Sequence, residues 1–186
     1  MNEKEDRKRT AGVGRTGRLV HGVALVGTLI WLAAIFLAPL LRSRGAGAAS
    51  GLLYAVFAPV CHQIPSRCLS FHGYPLAVCA RCLGIYAGFL AGLAAYPLVR
   101  RMESLELPEG RIILLAALPM GLDFLVGAFR AWPSPSGVRL ATGLVWGSVL
   151  PFYVIPSVTD AVRRIRSRRA ARPPSRTDLP TGAPKR

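Results

Sequence analysis

From residue 19 to residue 41 this 186-residue chain has no charged side chain, and outside residues 61–82 it has no cysteine. Acidic residues are scarce throughout, 9 against 24 Lys and Arg, and aromatics make up only 8% of the sequence. Each shortage argues against a class of protein. A net charge of +15 beside 52% hydrophobic residues and a mean hydropathy of +0.37 does not suit a soluble domain. Membrane insertion resolves the conflict, because the apolar and basic residues are segregated into uncharged runs bounded by arginines. Nucleic-acid binding is the usual reading of a pI near 11. Here the charge lies mostly in tails beside apolar spans and is not interleaved with aromatics, which argues against a nucleic-acid partner.

The runs give the plan of an all-α integral membrane protein with four transmembrane helices plus one short interfacial or re-entrant helix. Residues 1–18 carry Lys4, Arg7, Lys8, Arg9, Arg15 and Arg18 among glycines and read as a disordered basic tail. Residues 19–41 form the first span, since at about 1.5 Å per residue they cross a hydrocarbon core of about 30 Å. Ala46-Gly47-Ala48 resembles a signal-peptide cleavage site, but the apolar region of such a peptide is only about 7 to 15 residues, so the helix is read as retained. After a small-residue linker at 45–51, the run 52–60 is too short to span and reads as a membrane-associated helix delivering Cys61 and His62 to the membrane surface. Pro65, Gly73 and Pro75 mark a loop. Further spans follow at about 76–99, 112–129 and 140–159, the last bent at Pro151 and Pro156, and then a disordered basic tail at 161–186. The N-tail, the turn at 100–111 and the C-tail hold 18 of the lysines and arginines, the other two loops six. That imbalance predicts a multi-pass cell-membrane protein with both termini cytoplasmic and the cysteine segment facing outward. The arginines of the C-tail suit anionic membrane lipid, at about 1 kcal/mol per basic residue near the surface.

The cysteine segment carries the chemistry. Cys79 and Cys82, three apart at a helix start, share a face and can reach one ion. Proximity to a helix N-terminus, with Arg81 and Arg67 alongside, favours the thiolate. Cys61 supplies a third ligand and His62 a fourth, completing a sulfur and nitrogen shell of the kind zinc prefers. Adjacent residues often diverge in direction, so one of that pair can instead serve the ligands from behind. Two other readings stay open: a disulfide or redox pair at Cys79 and Cys82, and free thiols buried in helix packing. A zinc-deaminase reading fails, because the general acid/base Glu two residues after the His is absent and Ile64 stands there.

Asp123, inside an apolar run, costs about 2.5 to 3.5 kcal/mol to insert and calls for an interior partner, Arg81 or Arg139. Gly84, Gly88 and Gly92 recur every four residues and make a ridge for close helix packing, within the chain or in a homodimer. His21 and His72 read as surface or interfacial residues.

Cys61-His62-Gln63, Arg67 and Cys79-Ala80-Arg81-Cys82-Leu83-Gly84-Ile85-Tyr86, followed by Asp123 and by Arg139 with Thr142-Gly143, resemble the signature of domain of unknown function 2085, a family of small predicted membrane proteins. The resemblance covers about residues 55 to 150. Cys68 and Phe124 depart from it, where the family usually carries Ser and Gly, which makes Cys68 the cysteine least expected to be a shared ligand. The family implies a membrane protein and brings no activity with it. The residues themselves support a metal-stabilised pocket for an anionic ligand such as a lipid headgroup, lined by Arg67, Arg81, Tyr86, Asp123, Arg139 and Thr142. The alternatives are a membrane-embedded metal-dependent enzyme, for which Asp123 is the available base, and a membrane thiol-disulfide oxidoreductase.

Overall fold

A computed structural model describes residues 3–129 and 134–170. Four helices are long and apolar enough to cross a membrane, the segments Gly12–Ser43, Ala80–Val99, Gly110–Ala128 and Ser136–Arg168. The last is made of two elements, so the helices are α1 (Glu3–Ser43), α2 (Gly47–Phe57), α3 (Ala80–Val99), α4 (Gly110–Ala128), α5 (Ser136–Val149) and α6 (Pro151–Ala170).

α1 begins well before the apolar run, in the segment expected to be a disordered tail. Small residues explain the difference. Gly17 is buried so close to the α3–α4 turn that a Cβ there would meet the Met102 carbonyl oxygen at 2.4 Å, and Gly14 lies against the Glu103 side chain. Val13 and Thr16 are buried beside them. α6 likewise continues to Ala170, into the expected C-terminal tail. Residues 171–186 of that tail lie outside the described residues.

At its far end α1 stops in a Schellman turn. Gly45 takes φ +79°, the Ala46 N–H donates to the Leu41 carbonyl at 3.0 Å and the Gly45 N–H to that of Arg42 at 3.1 Å. The turn folds α2 back alongside α1, so the expected linker at 45–51 is largely helix. Ser50, fully buried, donates to the Ala38 carbonyl at 2.8 Å, and Phe57 meets Trp31 edge-on with centroids 4.7 Å apart. α2 therefore re-enters the apolar layer and does not lie on its surface. Eleven residues carry it about 16 Å inward.

The main departure from the expected helical reading follows. Residues 76–79, read as the start of the second span, belong to a β-hairpin of β1 (Cys68–Phe71) and β2 (Tyr74–Cys79). His72 and Gly73 both take positive φ, +51° and +80°, which gives the two-residue turn whose twist matches paired strands. Phe71 pairs with Tyr74, Ser70 with Pro75 and, beyond an irregularity, Cys68 with Cys79. Leu76, Ala77 and Val78 are buried with Ile35, Ala38, Phe57 and Cys61. The hairpin packs into the bundle through a continuous apolar run, and neither strand shows the alternation that marks a half-exposed one.

α3 and α5 are the closest pair. A Cβ on Gly84, Gly88 or Gly92 would lie 2.2 Å from the carbonyl oxygen of Leu140, Leu144 or Ser148, and Gly143 and Gly147 meet Arg81 and Ile85 in the same way. Both registers ascend together, so the two helices run parallel, joined by α4 returning between their levels. The glycine ridge is thus covered within the chain, and a homodimer through Gly84, Gly88 and Gly92 has no free face to use. The expected bend falls at Pro151, where α5 gives way to α6. At that end Leu93, Tyr96 and Ile155 form a second core, and half-buried His21 donates from Nε2 to the Leu93 carbonyl at 2.8 Å.

Candidate metal centre

Three cysteines converge from three local structures. Cys61 follows α2, held by its N–H to the Phe57 carbonyl at 3.0 Å, and is 6% exposed. Cys79 ends β2 and caps α3 with an extended backbone, and Cys82 lies one turn into the helix. Their sulfurs all lie within 4.8 Å of one another. A tetrahedral zinc shell with sulfur at about 2.3 Å requires sulfurs about 3.8 Å apart, so a small contraction would close these three on one ion. The Cys79 N–H donates to the Cys61 sulfur at 3.2 Å and ties the two ligand positions together. Hydrogen bonds, first from the Cys82 thiol and then from nearby backbone and Cys61, outweigh burial and hold Cys79 down to about 5. Burial instead pushes Cys68 up to about 11, with Cys61 and Cys79 adding to the shift, so Cys68 stays a thiol beside the cluster.

A residue passed over in the sequence holds this geometry. Gln63 takes φ +50°, and its Nε2 donates to the Tyr54 carbonyl at 2.7 Å and to the Ala77 carbonyl at 2.9 Å, pinning the loop after Cys61 between α2 and β2. Its place directly after Cys61-His62 was the available signal.

The thiols open onto a cavity of about 340 Å³ that is also lined by His62, Gln63, Arg67, Arg81, Phe124 and Arg139. Arg81 forms an ion pair with Asp123, their side chains 20% and 8% exposed. The other Asp123 oxygen accepts from the Ser134 hydroxyl, whose backbone carbonyl accepts from Arg139 Nε at 3.0 Å. Asp123 thus meets the partner the sequence called for, while Ser134, in the loop before α5, carried no distinguishing pattern. Arg81 Nε is buried and has no hydrogen-bond partner among the described residues, and the guanidinium lies 5.9 Å over the Phe124 ring. Phe124 therefore forms a wall of the cavity and a surface for the cation.

Three expected site residues stand elsewhere. His62 lines the cavity but is exposed, outside the group of sulfurs, because the chain turns between buried Cys61 and left-handed Gln63. Tyr86 faces α1, edge-on to Trp31 with centroids 5.9 Å apart. The Thr142 hydroxyl is used within α5, donating to Val138 and Arg139 carbonyls at 2.9 and 3.2 Å.

Comparison with known proteins agrees with this arrangement at the level of class. The sequence model of a family described as predicted membrane protein, DUF2085, matches residues 61–153, from the first cluster cysteine into α6. An uncharacterized protein of Methanocaldococcus jannaschii is 34% identical over 139 residues, 72% of this chain and 89% of that one. An uncharacterized protein of Methanothermobacter thermautotrophicus is 32% identical over 92 residues, 49% of this chain and 80% of its own. No solved structure matches the chain.

Proposed function

The chain belongs to the DUF2085 family of predicted membrane proteins, and from that premise we propose that it is a cell-membrane binding protein that uses a thiolate-held metal and an arginine-lined cavity to take an anionic ligand. The observation that carries the reading is the joining of two features: three sulfurs within 4.8 Å, opening onto the cavity that Arg67, Arg81 and Arg139 line. Cys61, Cys79 and Cys82 would hold the metal, and three thiolates suit zinc. His62 lies close enough along the chain to swing in as a fourth ligand or leave that position to the anion. Arg81, partly neutralised by Asp123, lines the cavity together with Arg67 and Arg139, which supply charge for a phosphate or carboxylate group. An outward-facing cavity with cytoplasmic termini follows from the distribution of lysine and arginine.

Elemental analysis of detergent-purified protein tests the metal. About one zinc per chain is expected, lost in Cys82→Ser and retained in Cys68→Ser. Titration with inorganic phosphate tests the pocket: Arg139→Gln should keep the zinc and weaken phosphate binding about tenfold. Equal zinc loss in Cys68→Ser would overturn the ligand assignment.

A second reading, a thiol-disulfide oxidoreductase, is favoured by one observation: Cys79 and Cys82 are both free, one turn apart at the start of α3. It predicts protein without metal in which two thiols are missing until reduction.

A further inference from the structure

At the end of the bundle opposite the cysteines, α1 and α6 both continue as helices beyond their apolar runs. Between them lies a cleft of about 550 Å³ lined by Arg15, Thr16, Asp160, Arg163, Arg164 and Arg166. Asp160 is taken by Arg164, at 2.8 Å along one helix face. Among residues 12–129 and 134–168, Arg15, Arg163 and Arg166 have no carboxylate partner. Thr16 closes one side of the cleft: it is 6% exposed, and its hydroxyl is spent on the Gly12 carbonyl of its own helix. Gly12 lines the wall with open space beside its Cα, so a ligand can approach the α1 backbone.

Helix electrostatics do not account for this charge. Arg166, near the last turn of α6, complements its dipole, but Arg15 and Arg163 stand more than a turn from either helix end, beyond the reach of that effect. The level of the cleft is informative as well. Arg15 stands four residues outside the apolar run of α1 and Arg163 four residues beyond Thr159, about 6 Å in each case. That is the depth of lipid phosphates, which lie just beyond the hydrocarbon core.

We infer that the α1–α6 cleft is a second anion site, specific for a phosphate group, in which Arg15 from one helix and Arg163 and Arg166 from the other converge on the phosphate oxygens. Three guanidiniums from two helices match a phosphate monoester geometrically as well as in charge. The site is independent of the metal and of the cysteine-side cavity. Lipid headgroup and free phosphate share this chemistry, and the experiment separates them.

Full-length protein is delipidated in mild non-ionic detergent and titrated with dioctanoyl phosphatidic acid, with dioctanoyl phosphatidylcholine and with inorganic phosphate. The titrations use the Arg139→Gln background, which weakens the other cavity. Phosphatidic acid should bind saturably and phosphatidylcholine should not. Arg163→Gln/Arg166→Gln should weaken phosphatidic acid about tenfold or more, Arg15→Gln about fivefold, and Arg168→Gln, outside the cleft, less than twofold. Arg15, Arg166 and Arg168 are exposed and Arg163 is half-buried at the cleft edge, so an unchanged circular dichroism spectrum is expected for each variant. Inorganic phosphate competing at millimolar concentration identifies free phosphate as the ligand, and failure to compete identifies the headgroup. Equal binding of both lipids, or an Arg168→Gln loss as large as that of Arg15→Gln, would reduce the cleft to diffuse charge and overturn the site.

Discussion

Asp123 and Arg81 illustrate how one residue acquires meaning from its partner. A carboxylate in an apolar span is costly alone, and a guanidinium at the same depth equally so; together they form a buried pair that also gathers Ser134 and, through it, Arg139. Breaking such a pair leaves one uncompensated charge, which costs about 3 to 5 kcal/mol, whereas replacing both members with apolar residues recovers most of the loss. Asp123→Ala should therefore lower the stability of the detergent-solubilised protein by about 3 kcal/mol, and Arg81→Met/Asp123→Leu should unfold close to wild type. A single variant as stable as the parent would show that the pair is not structural. In the double variant, phosphate binding at the cysteine-side cavity should still be lost, since Arg81 also serves the ligand there.

The element scale is governed by the α3–α5 contact. Each of the three ridge glycines sits where any side chain would enter a backbone carbonyl of α5, with a Cβ at 2.2 Å. Such close approach also permits Cα–H···O contacts between the helices. Gly88→Ala should cost about 1 to 3 kcal/mol because the helices must separate. Gly121→Ala on α4, with nothing within 4 Å of the added methyl, should be neutral or slightly stabilising through helix propensity. Thermal denaturation in detergent distinguishes them; equal midpoints would mean that α3 and α5 do not pack as described. Separation at Gly84 should also move Cys82, two residues away, so Gly84→Ala is expected to lower zinc retention as well as stability.

For the whole molecule, the N-terminal part of α1, the α3–α4 turn and the end of α6 gather at one end of the bundle, and the hairpin with the cysteine cluster lies toward the other. That grouping agrees with the division of basic residues between the loops. Ser70 is exposed on β1 near the hairpin turn, so Ser70→Cys should react with a membrane-impermeant maleimide in intact cells. Labelling of Ser70→Cys only after lysis would invert the topology. Cys68 is a poor reporter of the same question, being 9% exposed, with its thiol pushed up to about 11 by burial.

What the sequence determined by itself was the membrane class, the four spans and the candidate ligands Cys61, Cys79 and Cys82, because hydrocarbon thickness, uncharged run length and Cys-x-x-Cys spacing are local properties. The hairpin at 68–79 was hidden, since Leu76, Ala77 and Val78 are a short apolar run that reads equally as the start of a helix; only burial against Ile35 and Phe57 from distant segments makes it a strand. The partner of the glycine ridge was also undecided, because a flat helix face is the same whether it meets α5 or a second copy. Tertiary structure alone separated His62 from the sulfurs, turned Tyr86 toward Trp31 and brought Ser134 to Asp123. Side-chain direction depends on how α1, α2, α3 and the hairpin pack around one point, and no spacing along the chain encodes it.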